Sequence, residues 1–149
     1  IGQGLPMGIG AALAVQEGGR KTLVLSGDGG FAVSLGELAT AKQENADIAI
    51  LLMNDGGYGV IRNIADAHYG GRRAYVDILG PDWGMVCGSL SIPYFCIRDI
   101  ADLLMALRKA INYRGPAVVE LDMKQIGDFA KKFAGPPSRG NVKAEGNHS

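Results

Sequence analysis

The chain has 149 residues, the length of one compact domain able to bury a real core, which excludes a multi-domain reading. Hydrophobic residues make up 47% and charged ones 20%, too apolar for a disordered chain, yet no apolar run is long enough to cross a membrane. Fifteen Lys plus Arg balance fifteen Asp plus Glu, so no electrostatic footprint invites nucleic acid or an anionic membrane, and any bound anion must be held locally.

No charged n-region followed by an apolar h-region stands at the start, so no secretory signal is expected. Gly4-Leu5-Pro6 leads into Met7, Ile9 and Ala11 to Val15, a predicted helix with Pro6 in its first turn and Gly18-Gly19 at its end. Gly8 and Gly10 weaken that helix but allow close packing against a neighbour. A domain starting in a helix cap is expected to lack an upstream portion. Leu23-Val24-Leu25 predicts a buried strand within Lys21 to Ser26, and Gly27-Asp28-Gly29-Gly30 follows at its carboxyl end. Ser34 and Glu37 form an S-x-x-E capping box, predicting a helix through Leu35, Leu38, Ala39 and Ala41 to Asn45.

The same unit recurs. Ile48 to Met53 is an unbroken apolar run, the pattern of a parallel strand covered on both faces, and it ends in Asn54-Asp55-Gly56-Gly57-Tyr58-Gly59. A short helix is predicted from Val60 to Ala67, then a glycine- and arginine-rich loop from His68 to Gly80 over the sheet's carboxyl edge. Asp82 to Leu90 reads as helix and Tyr94 to Ile97 as a third strand. Asp99 is an N-cap for the helix carrying Ile100, Leu103, Leu104, Leu107 and Ile111, and Ala117 to Met123 is a fourth strand. From Gly127 the pattern fades, leaving residues 1–137 as the domain and 138–149 as a polar surface tail.

Alternating β and α units predict an α/β fold, a doubly wound, mostly parallel sheet with helices on both faces. Ligands of such sheets bind outside the carboxyl ends of the strands, where both glycine loops fall. The 23 glycines are about twice average usage and arrive in clusters, as where backbone approaches a ligand. Cys87 and Cys96 read as core thiols, in keeping with a reducing, cytoplasmic compartment.

Asp28 and Asp55, each taken alone, are what a tight turn demands. Together they close two apolar strands separated by one helix, so strands that neighbour each other bring both carboxylates to one crevice. Two hard oxygen donors beside exposed glycine carbonyls suit Mg²⁺, which wants octahedral oxygen ligation and shares its shell with substrate phosphates. A helix led by Gly29 and Gly30 points free N–H groups at such a phosphate.

Gly27-Asp28-Gly29, then 24 intervening residues, then Asn54-Asp55, with Glu37-Leu38-Ala39-Thr40 between, resembles the signature of the thiamine-diphosphate enzymes. The opening Gly4-Leu5-Pro6-Met7-Gly8-Ile9-Gly10-Ala11-Ala12 is similar to the segment preceding that signature in the acetolactate synthase and benzoylformate decarboxylase group. The resemblance covers residues 1 to 137 and implies the C-terminal, diphosphate-binding domain of such an enzyme, with thiamine diphosphate and Mg²⁺ as cofactors. It implies that Asp28, the Asp55 side chain and the Gly57 main-chain carbonyl ligate Mg²⁺, two diphosphate oxygens and a water completing the octahedron. Asn54 and the amides of Gly29 and Gly30 would hold the diphosphate, with Gly27 and Tyr58 counted beside them. Tyr58 by itself reads as a packing anchor, as does Trp83. Ile1 stands where the family carries an apolar wedge that bends the cofactor, and by itself reads as an ordinary terminal residue.

By resemblance, the complete enzyme decarboxylates a 2-oxo acid and protonates the product or joins it to a second carbonyl, as a lyase or a carboligating transferase. No catalytic residue is expected in this chain, because the family's activating glutamate belongs to a pyrimidine-binding domain, usually of a partner subunit. A homo-oligomer is therefore expected, and no turnover by the chain alone. Asp55 replaces a common Asn of the family, adding negative charge beside a diphosphate and predicting strict metal dependence. Gly30 replaces a frequent Ser. Arg62, Arg72, Arg73 and His68 lie within reach of substrate but read first as solvated side chains. An apolar patch around Ile1, Leu5 and Met7 predicts self-association. Two alternatives stay open: a binding subunit of a split enzyme that works with a separate pyrimidine domain, and a non-catalytic doubly wound domain holding another phosphate ligand.

Overall fold

The computed structural model describes residues 1–15 and 18–127. Among these, four strands form one parallel sheet in the order β1-β2-β4-β3, with β1 Thr22–Gly27, β2 Ile48–Asn54, β3 Tyr94–Ile97 and β4 Ala117–Asp122. The helices are α1 (Gly4–Val15), α2 (Asp28–Val33), α3 (Glu37–Gln43), α4 (Gly59–His68), α5 (Trp83–Ser89), α6 (Leu103–Asn112) and α7 (Met123–Ile126).

Alternation along the strands sends Val24, Ile48, Ile50, Leu52 and Val118 to one face, where α1, α2, α3 and α5 cover them with Leu5, Ile9, Phe31, Leu38, Trp83 and Cys87. The opposite face holds Ala49, Val119 and Leu121 under Ala106 and Ala110 of α6. Both faces of β2 are thus covered, which is why its apolar run does not alternate. The expected doubly wound, parallel α/β arrangement is the one observed. No helix among the described residues is long and apolar enough to cross a membrane.

Several local expectations are corrected. Ser34 does not cap α3. It ends α2, its backbone carbonyl accepts from the Glu37 amide at 2.9 Å, and its buried Oγ has no partner. The chain passes through a turn at Ser34–Gly36, so the first helical position is Glu37, two residues later than the motif suggests. Gly8 meets its expectation, since a Cβ there would lie 2.2 Å from Val24 Cγ2, but a Cβ on Gly10 would meet nothing. Leu5 is 1% exposed and belongs to the core, whereas Ile1 and Met7 of the expected patch are exposed. Asp99 caps a 3-10 turn, Ile100–Asp102, ahead of α6. The last strand stops at Asp122, whose carboxylate accepts from the Lys124 amide and opens α7, an element the sequence reading left out. The polar tail at 138–149 lies outside the described residues.

Candidate functional site

Parallel pairing of β1 with β2, in a register that sets Gly27 beside Met53, ends both strands at one level. Asp28 follows Gly27 as the first residue of α2, and Asp55 follows Asn54 into a turn whose Gly56 has φ +77°. Asp28 and Asp55 line one cavity of about 400 Å³ together with Gly57, Gly59, Arg62 and Lys124. A neighbouring hollow of about 280 Å³ shares Gly27, Gly57 and Gly59 with it and is bounded by Ile1, Gly29, Gly30 and Tyr58. Of the residues expected to bind cofactor, Asn54 alone lines neither hollow.

The glycines are there because other atoms occupy the space of a side chain. A Cβ on Gly57 would sit 2.2 Å from the Val76 carbonyl oxygen, and one on Gly59 2.0 Å from Asp55 Oδ2. The carboxylate of Asp55 therefore folds back over the start of α4 where any other residue would block it. Gly57 forms an antiparallel bridge with Asp77, in which the Tyr58 amide donates to Val76 O at 2.8 Å and the Ile78 amide to Gly56 O at 3.1 Å. This ladder uses the carbonyls of Gly56 and Val76 and leaves the Gly57 carbonyl outside it. A Cβ on Gly29 would fall 2.7 Å from the Tyr58 ring, so Tyr58 packs directly on the first glycine loop.

Asp28 is 3% exposed. Burial pushes its carboxyl above the ordinary aspartate range, the charge of Asp55 pushes it further, and the amides of Gly29 and Gly57 and its own amide oppose both. Its Oδ1 is buried without a hydrogen-bond partner. An orphaned acceptor beside a second carboxylate is unfavourable by itself and is relieved by a cation. Among the described residues, no group of three or more His, Cys, Asp or Glu side chains is placed to hold a metal. A divalent ion between these two acids would draw on main-chain carbonyl, phosphate and water for the rest of its shell.

The basic groups are better placed than the sequence indicates. Arg62 reads as solvated, yet its Nη1 lies 3.4 Å from Asp55 Oδ2 and its Nη2 donates to Asp77 Oδ1 at 2.9 Å. Standing early in α4, straight after the acid loop, Arg62 was close enough in sequence for this to be foreseen. Arg73 forks onto Asp66 and also borders the cavity. Lys124 arrives from α7, its Nζ lying 2.4 Å from where a Gly56 Cβ would be, and no motif marks it. His68 ends α4. Trp83 is an anchor, buried with its ring 5.3 Å from that of Phe31. Cys87 and Cys96 are free thiols, and burial, then the charge of Glu120, pushes the Cys87 thiol up to about 11.

The family described as "Thiamine pyrophosphate enzyme, C-terminal TPP binding domain" matches residues 1–121. Over 130 residues the chain is 31% identical to the acetolactate synthase isozyme 1 large subunit of Escherichia coli, covering 81% of this chain and 21% of that protein. It is 28% identical to the acetolactate synthase large subunit of Pyropia yezoensis, over 84% of this chain and 21% of that one. Among solved structures, a thiamine diphosphate-dependent 4-hydroxybenzoylformate decarboxylase of Rhodococcus jostii superposes with a TM-score of 0.73 at 26% identity, over 80% of this chain and 22% of the other. The benzoylformate decarboxylase of Polynucleobacter necessarius shares the fold, with a TM-score of 0.71 at 22% identity, over 78% of this chain and 22% of that one. The chain thus spans about a fifth of the length of the relatives it matches.

Proposed function

Because the chain belongs to the family of C-terminal TPP-binding domains of thiamine pyrophosphate enzymes, we propose that it anchors the diphosphate of thiamine diphosphate through Mg²⁺ held by Asp28, Asp55 and the Gly57 carbonyl. The observation that carries this reading is the buried, unpartnered Oδ1 of Asp28 in a cavity shared with Asp55. Those residues fit a hard divalent cation: two carboxylates, a main-chain carbonyl free of the local ladder, and a hollow into which phosphate oxygens can enter. Asp55 is an acid, so the ion must offset two negative charges before a diphosphate joins them, and binding of cofactor should depend strictly on metal.

When bound, thiamine diphosphate supplies the carbon nucleophile and electron sink for cleaving the bond beside a 2-oxo group. The residues of this chain bind and orient. Asp28 and Asp55 would fix the ion, the amides of Gly29 and Gly30 would help hold the diphosphate, and Ile1 and Tyr58 border the hollow that would take the rest of the cofactor. Arg62 balances the charge of Asp55 when the ion is absent. The reaction we assign to the complete enzyme is decarboxylation or carboligation of a 2-oxo acid, with a pyrimidine-binding domain or subunit supplying the proton-transfer group. An oligomer and a reducing, cytoplasmic setting go with that reading.

Calorimetric titration of the chain with thiamine diphosphate, with and without Mg²⁺, tests it. Binding should require Mg²⁺ and vanish in Asp55→Ala. Mg²⁺-independent binding, or none even with a pyrimidine-binding domain added, would refute it.

A further inference from the structure

We propose that Glu120 is the positioning residue of the second acid loop, setting from inside the sheet how Asp55 and Gly57 are presented. Glu120 lies in the central part of β4, opposite Leu52 on one side and Cys96 on the other, and is 6% exposed. A carboxyl group on the same face of β4 as Val118, close enough for its charge to act on Cys87, is costly unless its oxygens are met. Both are. Oε1 accepts from Asn54 Nδ2 at 2.8 Å, and Oε2 accepts from the Tyr94 hydroxyl.

The consequence for the loop follows from hydrogen-bond valence. A carboxylate only accepts, so the atom of Asn54 that faces Glu120 must be its NH₂. The Asn54 Oδ1 is thereby turned outward, where it accepts from the Gly56 amide at 3.1 Å. That bond closes the turn in which Gly56 adopts φ +77°, and the turn carries Asp55 on one side and Gly57 on the other. Asn54 has both polar ends committed, which explains why it lines neither hollow. Tyr94 adds a second tie from β3. Burial, then its bond to Glu120, raises the Tyr94 phenol far above its usual range, so it stays a donor at any physiological pH. The importance of the loop rests on the reading of Asp55 and Gly57 as ligands; its positioning by Glu120 does not.

The test is hydrogen exchange at the Gly56 amide, followed by NMR in the full 149-residue chain without metal or cofactor, and compared with the β2 amides of Ile50 and Leu52. Glu120→Ala should speed exchange at Gly56 about fivefold or more, the worth of one ordinary hydrogen bond, with the β2 amides little changed. Glu120→Gln should restore most of the protection, because its amide oxygen still accepts from Asn54 while its NH₂ meets the Tyr94 oxygen. Tyr94→Phe leaves Oε1 in place and should leave Gly56 protected. Should the alanine variant fail to fold, Glu120→Leu removes both acceptors without leaving a cavity and is read the same way. Unchanged exchange at Gly56 in the Ala or Leu variant overturns the proposal, as does equal loss in Tyr94→Phe, which would mean general loosening of the layer. Titration with Mg²⁺ and thiamine diphosphate separates the two readings. If Gly56 responds as expected but the wild-type chain shows no Mg²⁺-linked binding, positioning stands and the metal assignment falls.

Discussion

Replacing Asp28 by Asn should make the metal-free chain more stable while removing its response to Mg²⁺ and thiamine diphosphate. In the wild type a buried carboxylate has one oxygen unpartnered and a second acid nearby. An Asn keeps an acceptor for the amides of Gly29 and Gly57, places its NH₂ where the unmet Oδ1 was, and removes the charge that Asp55 opposes. Leaving a buried acceptor unmet costs about 1–3 kcal/mol, so even the lower limit raises Tm by roughly 2–4 °C in a domain of this size. The pH dependence has a definite sign. The folded pKa of Asp28 is raised, so the unfolded chain gives up its proton first, and wild-type stability falls as pH climbs from the ordinary aspartate value through the raised one. The gap between variant and wild type should therefore be absent well below pH 4, open above it and then stay constant. Adding Mg²⁺ and cofactor at about 100 times Kd stabilises the wild type by about 2.7 kcal/mol, or about 5–10 °C, and leaves the variant unmoved. Thermal melts in chelator and in Mg²⁺ plus cofactor, from pH 3.5 to 8, measure all of this. A metal-free Asp28→Asn protein less stable than wild type at pH 7.5, or one keeping the full ligand-dependent shift, refutes the reasoning.

Gly57→Ala should cost about 1–3 kcal/mol, because its methyl group would meet the Val76 carbonyl at 2.2 Å, and backbone cannot swing aside as a side-chain tip can. Urea titration reads the loss, which should come with failure to bind cofactor. Lys21→Met should destabilise by roughly 1–3 kcal/mol, since Lys21 Nζ donates to Asp47 Oδ1 at 2.7 Å and to the carbonyls of Tyr113 and Gly115. Burial by itself would raise the Asp47 pKa, but the Lys21 bond and charge and the Gly115 amide outweigh it and hold it low. Its contribution is therefore present above the ordinary aspartate pKa and lost as pH falls through the folded one, so the gap between Lys21→Met and wild type should narrow below pH 4.

Much of the site was legible because it is local. An apolar run that ends in Asp and Gly announces a strand followed by a turn, and two such units in succession imply neighbouring parallel strands. Asp28, Asp55, Gly57 and the glycines around them follow from that. The capping box at Ser34 failed for the opposite reason: the residue types were right, but the preceding helix ran on to Val33 and used Ser34 as its end. Leu5 was expected in an exposed patch with Ile1 and Met7, left bare where a second domain would cover it, whereas α1 turns it into the core against Val24 of β1.

What a one-dimensional pattern cannot contain is the meeting of residues from distant segments. Period and punctuation determined the strands, their order of appearance, and the placing of two acids at carboxyl ends, because each depends on backbone preferences within a few residues. Only the tertiary structure decided that Asp77 meets the Arg62 that also faces Asp55, that Lys124 crosses from a helix after the last strand, and that Glu120 sits beneath Asn54. Those pairings arise from the sheet order β1-β2-β4-β3, which sets β4 beside β2 although 62 residues of chain separate Asn54 from Ala117. Sheet order is chosen by the burial of whole faces, a sum over the molecule that no local stretch of sequence records.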